Sequence, residues 1–190
     1  MQKFQKEMTA FFDELYVGEQ KHLVFGDGDE RAVIVLIGEA PGEQETRMGK
    51  PFVGKAGKNL DEFLALSGLD RRALYITNTV KFRPTKISGA GRVVNRPPTQ
   101  EEIKLSVPWL FRELEMIHPE VIVTLGNVPL KALLGKEATI GGQHGKMCEW
   151  NGIKVYPLYH PASVIYNPSL KDVYREDVIR LGDEVRKKRD

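Results

Sequence analysis

Three continuous apolar runs divide the chain and predict strands that are buried on both faces. They lie within residues 31–40 ("RAVIVLIGEA"), 74–80 ("LYITNTV") and 121–126 ("VIVTLG"). Runs of this kind, rich in β-branched residues, are typical of parallel strands inside a sheet. Residues 144–161 ("HGKMCEWNGIKVYPLYHP") predict a hairpin or two short strands that turn at Asn151 and Gly152.

Segments with helical periodicity separate these runs. Gly68 predicts a helix end, because glycine often ends a helix. Thr99 and Glu102 have the spacing of a capping box, and Pro108 predicts a kink in the helix that follows. The predicted helices are residues 1–16, 56–68, 99–118, 126–135 and a last one from about Ser169 into the basic tail "RKKRD".

The alternation of strands and helices predicts an α/β fold, with a parallel sheet covered on both faces. Ligands of such folds bind at the carboxyl ends of the strands. This rule selects three loops: residues 38–55, 78–98 and 159–168. Within the second, residues 81–98 form a long irregular stretch with five basic residues and no acidic one, which is typical of a functional or mobile loop.

Length and composition indicate one compact domain covering residues 1–190. The chain has 190 residues, is 41% apolar and carries a formal net charge of +2, so nucleic-acid binding would depend on local basic patches. No run predicts a membrane span or a signal peptide. The single cysteine, Cys148, excludes an internal disulfide and a cysteine-rich metal site. We therefore predict a cytoplasmic protein, and a monomer.

One segment nearly matches a nucleotide-binding P-loop. Residues 49–56 ("GKPFVGKA") fit G-x-x-x-x-G-K-[ST] except at Ala56, which lacks the hydroxyl that ligates Mg²⁺. The preceding strand ends near Ile37, roughly a dozen residues too early, and Pro51 and Phe52 restrict the backbone that must surround phosphates. These departures disfavour nucleotide binding. The simpler interpretation is a glycine-rich connection that caps a helix.

Four motifs in order resemble the uracil-DNA glycosylase superfamily, most closely its family four. They are "GEAPG" (38–42), "GKPFVGKAGKNL" (49–60), "NTVKFRP" (78–84) and "HPASVIYNPSL" (160–170), and the resemblance runs from about Val24 to Leu181. It implies a three-layer α/β/α sandwich around a mostly parallel four-stranded sheet. It also implies a monofunctional enzyme that flips uracil out of DNA, single- or double-stranded, and hydrolyses the N-glycosidic bond without metal or soluble cofactor.

Two alternatives stay open at this point. One is a glycosylase for hypoxanthine, xanthine or mismatched thymine, and the other is a DNA-binding member of the superfamily that has lost catalysis.

The resemblance assigns the base-binding roles to three residues. Phe52 corresponds to the phenylalanine that stacks on the flipped base. Asn78 corresponds to the amide that accepts from uracil N3–H and donates to O4, a pattern that cytosine reverses. His160 corresponds to the histidine that donates a hydrogen bond to uracil O2, which a neutral ring can do.

The first loop carries the acidic candidates. Glu39 and Glu45 are the two carboxylates that could position water and favour the cationic sugar, and the sequence does not decide between them. The backbone N–H groups of Glu39 and Ala40 are expected to contact the base, and Gly38 is expected to shape the turn.

DNA contacts are predicted at two places. Ser163 is expected near a phosphate, and Val164, Ile165 or Tyr166 is expected to fill the gap left by the flipped nucleotide, with Ile165 as the residue we select. The basic candidates for phosphate contacts are Lys81, Arg83 and Arg92, together with Lys86 and Arg96.

The chain departs from family four at its iron–sulfur cluster. Family-four enzymes typically hold a [4Fe–4S] cluster on four cysteines. The corresponding places here fall in residues 11–22, near Phe82 and near Ser106, and Cys148 matches none of them. We therefore predict no cluster, with Phe82 and apolar neighbours in its place. The longer loop 84–98 contains no histidine, so we expect no covalent trapping of DNA.

Overall fold

A mixed sheet forms the middle layer of the protein. The structure is a computed structural model and describes residues 1–186. Its strands are β1 (Asp27–Gly28), β2 (Ile34–Gly38), β3 (Tyr75–Asn78), β4 (Thr85–Ile87), β5 (Val93–Asn95), β6 (Val121–Leu125), β7 (Cys148–Trp150) and β8 (Ile153–Leu158). Six of them form the central sheet in the order β1-β3-β2-β6-β8-β7, while β4 and β5 pair separately.

The helices cover both faces of that sheet. They are α1 (Gln2–Leu15), α2 (Glu43–Met48), α3 (Lys55–Ser67), α4 (Gln100–Ile117), α5 (Asn127–Leu134), α6 (Ile140–Gln143), α7 (Ser163–Tyr166) and α8 (Lys171–Arg186). The last helix starts close to the predicted Ser169, and residues 187–190 of the basic tail lie outside the described residues. None of the helices described in residues 1–186 is both long and apolar enough to cross a membrane.

The predicted α/β fold with a mostly parallel sheet is confirmed. Strands β3, β2, β6 and β8 are parallel neighbours and form the centre. The sheet has two more strands than the four predicted, because β1 and β7 add antiparallel edges. Both are only two or three residues long, too short for a recognisable alternation of apolar and polar positions.

Alternate residues of the central strands face opposite layers. In β2, Ile34 and Leu36 pack in a buried cluster with side chains of α3 and α8. Val35 and Ile37, one position along, pack in a second cluster with side chains of α4 and α5. Since successive strand residues point to opposite faces, this pattern produces the three layers expected from the apolar runs.

Several predicted boundaries are confirmed. The capping box at the start of α4 is present: the Thr99 N–H donates to Glu102 Oε2 at 2.7 Å, and the Glu102 N–H donates to Thr99 Oγ1 at 3.1 Å. Helix α4 continues through Pro108 to Ile117. The β7–β8 hairpin turns at Asn151 and Gly152, both with positive φ, as the Asn-Gly sequence predicts.

The stretch predicted to be irregular, residues 81–98, contains a hairpin instead. Strands β4 and β5 pair with Thr85 opposite Asn95 and Ile87 opposite Val93. Arg96 anchors the end of the hairpin, since its guanidinium donates to both carboxylate oxygens of Glu102 at 2.7 Å. The hairpin is thereby fixed to the start of α4.

Candidate active site

A cavity of about 450 Å³ opens at the carboxyl ends of the parallel strands. All three loops selected from the sequence contribute to its wall. The lining residues that we predicted from the sequence are Ala40, Glu45, Phe52, Asn78, His160 and Ile165. The cavity therefore lies where open parallel sheets bind their ligands.

Asn78 is the last residue of β3, and its side chain faces this cavity. The residue is only 2% exposed, yet its side-chain amide has no hydrogen-bond partner among residues 1–186. Gly38, the paired residue on β2, allows the close packing here, because a Cβ at that position would collide with Asn78 Oδ1 and with the Phe52 ring. A buried amide without a partner is suited to bind a polar ligand edge.

Phe52 forms an apolar wall of the cavity from an unusual backbone conformation. Its φ of 52° lies in the left-handed region, which a bulky residue rarely adopts. Two hydrogen bonds hold the segment there, since Arg71 Nη2 donates to the carbonyls of Pro51 and Phe52, each at 3.1 Å. The Phe52 ring lies 5.8 Å from the His160 ring, centroid to centroid.

Glu45 holds the Phe52 segment from the other side. Its Oε1 accepts from the backbone N–H groups of Val53 at 3.1 Å and Gly54 at 2.7 Å, and its Oε2 accepts from Gly42 N–H at 3.2 Å. The N–H groups that a P-loop would direct at a phosphate are thus already bound to a carboxylate. This arrangement further disfavours nucleotide binding, and it shows that Glu45 supports the backbone of the Phe52 segment.

His160 is held as a neutral hydrogen-bond donor. Its Nδ1 accepts from the Ala162 N–H at 3.1 Å, which places the proton of the neutral ring on Nε2. Burial lowers the His160 pKa to about 4, although the nearby Glu45 carboxylate opposes this shift. Nε2 has no hydrogen-bond partner among the described residues and belongs to the cavity wall. Asn59 of α3 supports the turn by donating to the Pro161 carbonyl at 3.2 Å.

Glu39 follows β2 and borders an adjoining cavity of about 200 Å³ shared with His160. Its carboxylate is half-buried and has no hydrogen-bond or ion-pair partner among residues 1–186. Burial raises the Glu39 pKa. Of the two acidic candidates, Glu39 alone has unoccupied oxygens, because both oxygens of Glu45 bind backbone N–H groups.

The structure separates the five basic candidates into paired and unpaired side chains. The prediction that Lys81 contacts a phosphate is wrong: the residue is 0% exposed and its ammonium is bound to the Glu113 carboxylate at 2.6 Å. Arg83 donates to Asn95 Oδ1 at 2.6 Å and Glu43 Oε2 at 3.0 Å, and Arg96 is paired with Glu102 as above. Lys86 and Arg92, both exposed on the hairpin, have no ion-pair partner among residues 1–186.

Helix α7 carries the four residues for which we predicted DNA contacts, and two of them line the cavity. Ser163 begins this short helix, and Val164 packs against the core instead of facing outwards. Ile165 is half-buried in the cavity wall, whereas Tyr166 lines the same wall with 86% of its surface exposed. Of the three wedge candidates, Ile165 and Tyr166 thus remain available.

Among the residues of the cavity wall that sequence reasoning did not select, Asn95 has a side chain that another residue holds in place. Asn95, at the end of β5, lines both cavities, and Arg83 fixes its amide by donating to Oδ1. The signal was weak, because β4 and β5 are three-residue strands in a segment that looked irregular.

The residues at the expected cluster positions do not fit an iron–sulfur centre. Phe82 packs edge-on against Phe12 and Tyr16, with ring centroids 5.5 and 5.6 Å away. Ser106, the fourth position, is fully buried, and its hydroxyl has no hydrogen-bond partner among residues 1–186. Within residues 1–186 no group of three or more His, Cys, Asp or Glu side chains could hold a metal ion. An aromatic ring at Phe82 and a hydroxyl at Ser106 thus stand at two of the places where thiolates would be required.

Comparison with known families agrees with this geometry. A sequence profile described as the Uracil DNA glycosylase superfamily matches residues 25–180. The chain belongs to the uracil-DNA glycosylase superfamily. The matched segment contains all four motifs and every residue of the cavity wall that we predicted from the sequence.

Individual relatives of the superfamily cover most of the chain. This chain is 40% identical over 178 residues to the Type-4 uracil-DNA glycosylase of Saccharolobus solfataricus. The alignment covers 89% of this chain and 79% of that protein. The chain is 42% identical over 171 residues to the Type-4 uracil-DNA glycosylase of Archaeoglobus fulgidus, covering 86% and 82%. The crystal structure of wild-type Pedobacter heparinus SMUG2 matches with a TM-score of 0.59 at 15% identity, covering 98% of this chain and 85% of that chain, which supports the fold alone.

Proposed function

We propose that this protein is a monofunctional uracil-DNA glycosylase, which excises uracil from DNA and leaves an abasic site. The observation that carries the proposal is the convergence of three side chains on one cavity. The Asn78 amide and His160 Nε2 have no partners within residues 1–186, and the Phe52 ring lies beside them. Both groups line the cavity, so a polar ligand that enters it can form hydrogen bonds with them directly.

Uracil matches this cavity group by group. The Asn78 amide accepts from N3–H and donates to O4, while cytosine would present a lone pair and an amino group at those positions. The Phe52 ring offers a face for stacking of the flipped base. Ala40 lines the same wall, and its backbone N–H is a further proposed contact to the base.

Bond cleavage creates an anion on uracil and positive charge on the deoxyribose. His160 Nε2–H donates to O2, where the negative charge develops, and because the ring is neutral it stabilises this charge without transferring a full proton. Glu39 accepts a proton from a water molecule as the water oxygen bonds to C1′. The C1′–N1 bond breaks with its electron pair on uracil, and the sugar gains at C1′ the hydroxyl that comes from the water.

DNA contacts flank the cavity on two sides. Arg92 and Lys86 on the β4–β5 hairpin are proposed phosphate contacts because they are exposed and unpaired among residues 1–186. Ser163 at the start of α7 is proposed as a further phosphate contact. Ile165, assisted by the exposed Tyr166, is the proposed wedge that fills the space of the flipped nucleotide. Arg83 is proposed to act indirectly, by holding the hairpin to Glu43.

We further propose that the enzyme works without an iron–sulfur cluster or other cofactor, as a cytoplasmic monomer of one domain. The aromatic packing of Phe12, Tyr16 and Phe82 supports the first point, because it joins α1 to the segment after β3 without a metal centre. All the proposed catalytic groups lie on one chain, which supports the monomer.

An excision assay tests the proposal directly. Oligonucleotides with one uracil, single-stranded and paired with guanine or adenine, are incubated with the enzyme, treated with alkali and examined for strand cleavage. The wild type should cleave at the uracil position, and His160→Ala should reduce the rate about 100- to 1,000-fold. No cleavage in any uracil context, or cleavage unaffected by His160→Ala, would overturn the proposal.

A further inference from the structure

A fully buried lysine lies directly behind the base-reading residue. Lys81 is 0% exposed, and its ammonium group makes three hydrogen bonds inside the protein. It donates to Thr77 Oγ1 at 2.5 Å, to the backbone carbonyl of Asn78 at 2.6 Å and to Glu113 Oε2 at 2.6 Å. An ammonium group has three donors, so all of them are used.

Glu113 completes this network from helix α4. It is 1% exposed, and its two oxygens also accept from the Tyr75 hydroxyl at 2.9 Å and the Thr77 hydroxyl at 3.0 Å. The network therefore joins helix α4 to strand β3 near its carboxyl end. Burial lowers the Lys81 pKa, and the Glu113 carboxylate opposes that shift.

A contribution to stability does not by itself explain why a buried ion pair is present here. Buried ion pairs are often no more stabilising than apolar side chains of the same size, because both charges lose their hydration. The position of the pair next to Asn78 explains its presence better. One of the three Lys81 hydrogen bonds ends on the peptide group of Asn78, whose own side chain has no partner among residues 1–186.

The Asn78 side chain depends on its backbone for orientation. The chain leaves β3 immediately after Asn78, where the Thr79 N–H donates to the Gly38 carbonyl at 2.9 Å. Gly38 and Phe52 confine the amide from the front, as described above, and Lys81 holds the carbonyl from behind. Rotation of this peptide would carry the amide away from the base edge.

We propose that Lys81, with Glu113 as its counter-ion, is a positioning residue that fixes the Asn78 peptide so that the amide meets the base in one orientation. The proposal rests on the proposed uracil excision by this cavity. It assigns Lys81 a role in base recognition without any contact to DNA, in place of the phosphate contact predicted from the sequence.

The test removes the pair without leaving a buried charge. Lys81→Met with Glu113→Gln takes away both charges and the donor to the Asn78 carbonyl. We expect kcat for single-stranded uracil DNA to fall roughly 10- to 100-fold, the scale expected for misplacement of a reacting group, with KM for DNA within about twofold of wild type. Tyr75→Phe is the matched control: it weakens the same network without touching Asn78, and should lower the melting temperature but leave kcat unchanged.

A cycle with Asn78→Ala distinguishes positioning from general loosening. If Lys81 acts through Asn78, the Lys81→Met and Glu113→Gln changes should cost less than about twofold in a protein that already carries Asn78→Ala. Should the double variant not fold, Lys81→Met, Glu113→Leu, Tyr75→Phe and Thr77→Val together make the site apolar, and the same criteria apply.

The outcomes of these experiments distinguish the positioning role of Lys81 from the proposed uracil excision on which it rests. An active wild type with an unchanged kcat in the pair-free enzyme overturns the positioning role alone. The same holds if the full loss persists in the Asn78→Ala background. No excision by the wild type overturns the proposed function and the positioning role together.

Discussion

The backbone N–H of Ala162 donates to Nδ1 of His160 across 3.1 Å, and this contact decides where the ring keeps its proton. With Nδ1 acting as an acceptor, the neutral ring carries its hydrogen on Nε2, at the wall of the cavity. Burial lowers the pKa to about 4, so the ring stays neutral in the range where the enzyme would work. The fold thus prepares His160 as a hydrogen-bond donor and not as an acid.

This relationship predicts the titration of His160. Its ring resonances in the NMR spectrum should stay at their neutral positions from pH 8 to about pH 5 and move only towards pH 4. Since the folded pKa lies below the unfolded value of 6.5, the unfolded chain takes up the proton first. His160 should therefore cost the folded state up to about 3 kcal/mol as the pH falls from 6.5 towards 4.

The control for this prediction is His160→Asn, which identifies the resonances by their loss. The variant should lose less stability than the wild type between pH 6.5 and pH 4. A titration midpoint near the ordinary value would contradict the neutral-donor assignment.

Glu39→Gln should separate activity from stability. Removing the proposed base should lower kcat about 100- to 10,000-fold. Because burial raises the folded pKa of Glu39, the carboxylate destabilises the protein at neutral pH, and the glutamine variant should be more stable there. This advantage should shrink below the folded pKa and vanish below the unfolded value of 4.5.

Urea unfolding at several pH values measures this effect. Glu149→Gln, the same chemical change at an exposed position of the edge strand β7, should alter neither kcat nor the pH dependence of stability. A Glu39→Gln enzyme with wild-type kcat would exclude Glu39 as the residue that activates water.

The central strands were predictable from local pattern, whereas the three side chains of the cavity were predicted from the resemblance of four motifs to a known family. β2, β3 and β6 are buried on both faces and read as continuous apolar runs, and Asn78 stands at the end of one of them. The hairpin β4–β5 was not predictable, since its strands are three residues long and mostly exposed.

Lys81 shows where local pattern misleads. A lysine in a basic segment is normally exposed, and the carboxylate that explains its burial, Glu113, lies on a helix that only the fold brings close. The choice between Glu39 and Glu45 likewise needed the fold, because the backbone groups bound by Glu45 follow from the path of the Phe52 segment.

Asn78→Asp should weaken the preference for uracil over cytosine. A carboxylate cannot donate to uracil O4 and repels it, so kcat/KM for uracil should fall on the order of 10- to 100-fold. Cytosine offers an amino donor at that position, so the ratio of the two rates should fall as well. Excision from matched oligonucleotides carrying uracil or cytosine measures both effects.

Asn127→Asp is the matched control for this change. Its Oδ1 accepts from the Ile140 N–H at 2.9 Å, a bond that aspartate can also make, and the added charge is the same. If Asn78→Asp left the preference for uracil unchanged, another group would have to read the base.

The unpaired cations of the hairpin should contribute to DNA affinity and not to chemistry. Lys86→Ala with Arg92→Ala should raise KM and reduce the salt dependence of duplex binding by up to about 1.8 in the log–log slope, since each phosphate contact contributes about 0.9. kcat should remain unchanged, because neither residue lines the cavity.

Lys136→Ala with Lys154→Ala removes two exposed lysines outside the cavity wall and should leave the slope unchanged. Equal slopes for both pairs would mean that the hairpin does not contact DNA.

Phe82 should stabilise, by packing, the region that corresponds to the iron–sulfur cluster of family-four enzymes. The ring is 1% exposed among Phe4, Met8, Phe12 and Val80, so Phe82→Ala should cost about 3–5 kcal/mol in urea unfolding. Phe82→Leu keeps most of the volume and should cost less than about 1.5 kcal/mol. Because the ring does not line the cavity, kcat of the folded fraction should stay near wild type in both variants. Iron in stoichiometric amount in anaerobically purified wild type would contradict this account, because a chain with one cysteine lacks the four thiolates that a [4Fe–4S] cluster requires.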